Sequence, residues 1–390
     1  MFGREKWAIT FFSFLLFQAP IVIGESMVEL GRVVSLHESD LGLENAVRSN
    51  DGDLLLAFGV GSLIYKINST NPENFDEIYW NGSDDLFDAD FHPSDDSALI
   101  VGENGVVLRF SKLGNNVTDA GGQIFFGQTE LKAISWNGDG SWSYIGGQDG
   151  WIWRARGTQE GGLDVIPIED RMISDVTGID CIRERNMCII STNSDGIGII
   201  DDSHKITWIG GNGYPWKEVI CPKNSDNACI AISDEKNIAT VNINIFDVED
   251  STMEIVQLLE LNGLFTDIFY YEYSKSLIAL APFSIIEHDL NEERSYPWLN
   301  NSDVAKFNAE ISSELVIYSW SNGLDSGWII TSSGNIIQFT PSELLEEQRF
   351  FDEIFSVIFV GLTAAILFTT YVIAGPKIKI WYTNTYEKGN

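Results

Sequence analysis

The chain has 390 residues, 44% of them hydrophobic, enough apolar material for one large folded body and too much for a disordered polymer. It carries 57 acidic against 24 basic residues, a formal charge of −33, which excludes a nucleic-acid partner because phosphates demand a positive footprint. What such a balance admits is a strongly hydrated surface, or a site for cations or basic partners.

In chain order, the first element is a targeting signal. Arg4 and Lys6 precede an apolar run that ends in "VIGES", the pattern of a secretory signal peptide over residues 1–24. A short β-type run, "GRVVSL" at residues 31–36, comes next. A series of hairpins follows, of which "SWSYIGGQDGWIWRAR" is the clearest, with aromatic and β-branched runs on either side of Gln148-Asp149-Gly150. The same shape recurs in "LLAFGVGSLIYKI", "ALIVGENGVVLRF", "SYIGGQDGWIWRA", "IISTNSDGIGIID", "IAISDEKNIATVN", "LIALAPFSIIEHD" and "GWIITSSGNIIQF". The eighth positions of these runs are Ser62, Gly105, Gly150, Gly196, Asn237, Ser284 and Gly334, all turn-forming types, at spacings of 43, 45, 46, 41, 47 and 50 residues.

Each unit has further strands. Pieces such as "FDADF", "LKAISW" and "VTGIDC" lie upstream as inner strands, and "FDEIYW", "GQIFFG", "LDVIPIE", "KITWIG", "EIVQLLEL" and "RSYPWL" lie downstream as outer ones. Four short strands at a period in the mid-forties predict propeller blades. The seventh unit lacks an outer strand of its own, so "GRVVSL" is expected to complete it and close the ring. The fold expected is therefore all-β, a seven-bladed β-propeller over residues 25–340.

Beyond it, Thr340, Pro341 and Glu343 read as a helix start, a juxtamembrane segment over residues 341–353. Residues 354–375 contain no charge and are long enough to cross a hydrocarbon layer of about 30 Å as one transmembrane helix. Lys377 and Lys379 follow it, which places residues 376–390 in the cytoplasm and the body outside, a single-pass type I protein of the cell membrane. Sequons at Asn68, Asn81, Asn116 and Asn300 are candidate glycosylation sites in an exported chain.

The stretches "FDADFHPSDDSALIVGENGVVLRF" and "LKAISWNGDGSWSYIGGQDGWIWRA" resemble WD-repeat-like or YVTN-like propeller blades, although the Trp-Asp dipeptide at the ends of the third strands is lacking. The resemblance covers roughly residues 27–340 and implies a binding platform or scaffold rather than a particular chemistry. In the blade alignment Cys181 and Cys221 end inner strands while Cys188 and Cys229 open the next, so Cys181–Cys188 and Cys221–Cys229 are the expected disulfides, in keeping with export.

Chemistry is thinly written. The four histidines, His37, His92, His204 and His288, have no metal-pair spacing, and there is no G-x-S-x-G, H-E-x-x-H or P-loop. No cofactor or metal is implied; the aspartate-rich runs invite calcium but none has the EF-hand register. The reading is a surface module that binds an extracellular protein or glycan. The candidate site is on the top face, at the turns and loops carrying Glu103, Asn104, Gln148, Asp149, Asp195, Glu235, Tyr214 and Trp216. The competing reading is an exported hydrolase or lyase that works on glycans through carboxylates in the centre of the ring.

Overall fold

The computed structural model describes residues 26–342, apart from 159–161, 183, 224–226 and 324. Seven antiparallel sheets of four strands each account for nearly all of its regular structure. Blade one runs Leu43–Arg48, Leu54–Gly59, Ile64–Asn68 and Phe75–Glu77, and five further blades follow the same meander in chain order. Strands A to D of a blade run from the inside of the ring to the outside. Blade seven takes strands A to C from Val316–Gly323, Ser326–Thr331 and Asn335–Pro341, and its outer strand is Val28–Ser35 from the other end of the chain. Every A strand packs against the A strand of the next blade, and Val316–Gly323 packs against Leu43–Arg48, so the ring is closed.

Burial follows from that geometry. The B strands are covered by neighbouring blades on both faces, and Leu54–Gly59, Met187–Thr192 and Ala228–Ser233 are buried at every residue, which is why they read as unbroken apolar runs. D strands such as Thr252–Gln257 face water and alternate or turn polar. The apolar side chains gather into seven clusters, each between two adjacent blades; Leu56, Phe58, Phe91 and Phe110 hold blade one to blade two, and Trp320, Trp328, Leu55 and Ile67 hold blade seven to blade one.

The B–C turns use the expected residues in five blades, where Ser62, Gly105, Gly150, Gly196 and Gly334 have positive φ. Blade five places the left-handed residue one position earlier, at Lys236, and blade six turns through a cis Ala281–Pro282 bond. Blade two departs from expectation on its outside. Its D strand is Asn116–Asp119 and "GQIFF" forms a short helical turn, Gln123–Phe126, because Asn115 adopts φ 47° and reverses the chain at once, leaving no length for a later outer strand. Both disulfides form as aligned, Cys181–Cys188 and Cys221–Cys229.

The C-terminal boundary also needs correction. Thr340 is not a helix cap: it is extended within Asn335–Pro341, whose strand is sandwiched between Ser326–Thr331 and Val28–Ser35. Among the described residues no helix is long and apolar enough to cross a membrane. The segments read as signal peptide, 1–24, and as anchor, 354–375, lie outside the described residues, as do nearly all of 341–353 and the tail 376–390.

Candidate functional site

Two surfaces converge enough chemistry to act on another molecule: the central channel and the face that carries the B–C turns. The channel is made by a repeated irregularity. In every blade the A–B register shifts across one residue near the start of strand A, between Leu43 and Asn45, Leu86 and Asp88, Leu131 and Ala133, Val176 and Gly178, Trp216 and Glu218, Phe265 and Asp267, and Val316 and Tyr318. Such a bulge re-aims the residue that follows it. Here it turns Asn45, Asp88, Glu218, Asp267 and Tyr318 toward a central cavity of about 490 Å³, which Asp90 and Asp180 also line.

Most of these polar groups brace the inner edge of the ring. Asp88 accepts the amide N–H of Ala89 at 2.8 Å on one oxygen and that of Ile134, in the next blade, at 2.8 Å on the other. Asp90 accepts from Trp136 N–H at 2.8 Å, and Asp180 from Cys181 at 2.9 Å and Cys221 at 2.6 Å. Innermost strands have no partner strand for these amides, so carboxylates from the preceding blade take that place. Glu218 and Asp267 make only the local half of the pattern, accepting from Val219 at 2.9 Å and Ile268 at 2.7 Å. Glu218 leans over Gly178, where a Cβ would stand 2.2 Å from its Oε1.

Water reaches these carboxylates, but the ring walls them off from bulk solvent, and the cost of a charge there raises their proton affinity. Burial pushes Asp267 up to about 8. Burial raises Glu218 well above the usual carboxylate range, helped by the charges of Asp267 and Asp88, and burial outweighs the amide hydrogen bonds to raise Asp88 as well. Burial likewise moves Tyr318 to about 12. The cations of the lining are Arg48, which donates to the carbonyls of Gly52 and Ser321, and Lys223, over the ring of Tyr270 at 5.9 Å. Among the described residues no three His, Cys, Asp or Glu side chains come together to hold a metal ion. The channel's chemistry is thus that of an acidic, proton-holding lumen whose aspartates are largely committed to structure.

The top face holds the residues singled out from the sequence, spread over blades two to five. Glu103 and Asn104 occupy the turn Glu103–Gly105, and Gln148 and Asp149 the turn Gln148–Gly150. Several are fasteners. Asn104 donates to Asp84 at 2.8 Å, and the Asp149 amide donates to Asp175 at 2.9 Å while its carbonyl accepts from Arg171 at 2.7 Å. Asp195 accepts the amides of Ser174 and Ile173 at 2.6 and 2.9 Å, and the Ser174 bond leads in holding its carboxyl below the usual range. Trp216 is a correction: it is 0% exposed, packed in the core between blades four and five, and its indole donates to the Gly211 carbonyl at 2.8 Å. It supports the loop, with Tyr214 packed on it at a ring distance of 5.4 Å. Gln148, Asp149 and Glu235 remain exposed. Of the sequons, Asn81 and Asn116 are exposed and Asn300 is half-buried, while the Asn68 side chain accepts from the amides of Thr70 and Asn71.

Two features escaped the sequence reading. One is the set of inward carboxylates, with Asp88 and Asp90 alternating along the inner strand of "FDADF" and Asp180 standing in that of "VTGID". The other is a set of exposed apolar side chains in the D–A connections of the top face, among them Tyr79, Ile124, Ile173, Leu259 and Leu315, whereas Leu113, Phe246 and Tyr273 are the large apolar groups exposed on the opposite face.

No known family profile matches the sequence, and no curated protein matches it. Among solved structures, the crystal structure of the Myceliophteria thermophila Cps50 (Swd1) β-propeller domain is similar, with a TM-score of 0.62 at 7% identity, over 81% of this chain and 100% of that one. At that identity the likeness concerns the fold.

Proposed function

We propose that this seven-bladed β-propeller is a binding platform held at the outer surface of a cell membrane, presenting its top face to a protein partner. The observation that carries the reading is the concentration of exposed large apolar side chains on the top-face connections, since a rigid scaffold has no internal reason to leave Ile124, Ile173, Leu259 and Leu264 in water. The apolar, uncharged run at residues 354–375 and the signal-like residues 1–24 support export with a single C-terminal anchor, and two disulfides suit an oxidising compartment. Strand Asn335–Pro341 ends on the side of the A–B turns, opposite the top face. A glycan partner fits less well, because the exposed top-face groups are aliphatic more than aromatic.

The test pairs location with contact. Protease added to intact cells is expected to release the propeller, and photo-crosslinkers at Gln148 and Glu235 are expected to capture a partner that a crosslinker at Leu113 does not. A protease-resistant propeller refutes the surface location, and capture from Leu113 alone refutes the assigned face.

A further inference from the structure

Resting on that platform reading, the geometry points to one sector of the top face, the channel mouth over blades five to seven, as the docking site for a cationic segment of another protein that carries leucine-like side chains. The residues two positions ahead of the bulged residue of each A strand divide the mouth in two. Blades two to four enter the ring from Asp85, Glu130 and Asp175, and these acids are occupied: Asp85 accepts from the Gly61 amide at 2.8 Å, Asp175 from Lys132 at 2.9 Å, and Glu130 pairs with Lys132 at 3.5 Å. Blades six and seven enter from Leu264 and Leu315, which are 57% and 44% exposed. Leu259, 74% exposed, and Phe307, 38% exposed, extend the same arc on the connections that lead into these two blades.

The occupant follows from charge. Glu235, Glu260 and Glu310 are exposed on the top-face segments around the arc, against two exposed cations, Lys217 and Lys306, the second of which pairs with Asp303 at 2.8 Å. A second copy of this chain, at −33, brings the wrong sign, as does an anionic lipid surface. A segment with lysine or arginine among leucine-sized residues satisfies both halves of the surface: apolar contact for the arc, positive charge for its surroundings.

The full chain in discs of neutral phosphatidylcholine, with empty discs as the blank, is titrated with fluorescein-labelled peptides of about twelve residues alternating Lys with Leu, Lys with Ser, or Glu with Leu. The Lys/Leu peptide is expected to bind about tenfold or more tightly than Lys/Ser, as burial of leucines requires, and to weaken as salt rises. The double variant Leu264→Ser with Leu315→Ser should remove that excess. A Phe246→Ser, Tyr273→Ser variant on the opposite face should retain it, with circular dichroism showing that both variants fold. Glu/Leu binding as tightly as Lys/Leu, or Lys/Leu binding unchanged in L264S/L315S, overturns the assignment. If the crosslinkers at Gln148 and Glu235 still capture a partner in that case, the arc is wrong and the platform reading stands; if they too capture nothing, both fail.

Discussion

At the scale of single residues, the B strands of the first three blades end in Gly59, Gly102 and Gly147, each pressed against a carbonyl at the entrance of its own A strand. A Cβ at Gly102 would lie 2.1 Å from the Asp85 oxygen, which also accepts the Glu103 amide at 2.8 Å and has nowhere to retreat. Gly102→Ala is expected to destabilise the protein by about 1–3 kcal/mol, read as a lower midpoint in urea at unchanged m. Buried groups of opposite sense contribute to the pH dependence of stability, Asp267 and His288 among them. Asp267 has its pKa raised from 3.8 to about 8, so its contribution is complete below about 4 and is lost as pH rises through 8. His288, whose Nε2 is buried without a partner, is lowered from 6.5 to about 4, so its contribution is complete above 6.5 and is lost as pH falls through 4. Between 4 and 6.5 these two slopes oppose each other, and above 6.5 that of Asp267 remains, in the same sense as those of Glu218 and Asp88. The melting temperature should therefore fall between pH 6.5 and 8, and Asp267→Asn, whose amide oxygen can still accept from Ile268, should flatten that fall.

At the scale of elements, each disulfide closes an A–B hairpin, between blade-four strands Val176–Ile182 and Met187–Thr192 and around the equivalent turn of blade five. Closing a loop of seven or eight residues constrains the unfolded chain, so Cys221→Ser with Cys229→Ser should cost about 2–3 kcal/mol in denaturant titration under oxidising conditions, and nothing relative to wild type under reducing ones. The hairpins were legible because turn chemistry and apolar runs are local properties, and their repetition fixed the blade count. The closing strand at Val28–Ser35 was legible by elimination, as the unit the seventh blade lacked. Outer strands were harder: "GQIFF" has strand-like composition, and the turn at Asn115 that displaces it depends on a backbone conformation many asparagines do not adopt. Trp216 was misjudged because a glycine-rich loop with aromatic residues reads as a binding loop, whereas burial is decided by the neighbouring blade. The channel carboxylates were hidden for a related reason: with 57 acids in the chain, only the bulge in each A strand distinguishes those that turn inward.

At the scale of the whole molecule, the ring is held by seven apolar junctions and by carboxylates that cross from one inner strand to the next. Asp88→Ala leaves the Ile134 amide without its acceptor at the inner edge, and should cost about 1–3 kcal/mol while sparing the blade count seen in a crystal structure. The net charge works against compaction, and screening shortens the reach of that repulsion to about 3 Å at 1 M salt. Melting temperature should rise with sodium chloride, and a fall would show that surface pairs such as Lys112 with Asp51 and Asp95 outweigh the repulsion.

The closure of blade seven also fixes an order in time. Ser35 and Asn335, whose side chains meet at 2.9 Å, are 300 positions apart, and the ribosome makes the earlier strand first. That strand emerges with no sheet to join and must wait, unpaired, until almost the entire propeller has been synthesised. A nascent chain that stops before Asn335–Pro341 therefore cannot finish the circle, however well its first blades have formed. Final locking is an event of the completed polypeptide, and the unpaired N-terminal strand is the piece most in need of a chaperone in the interval.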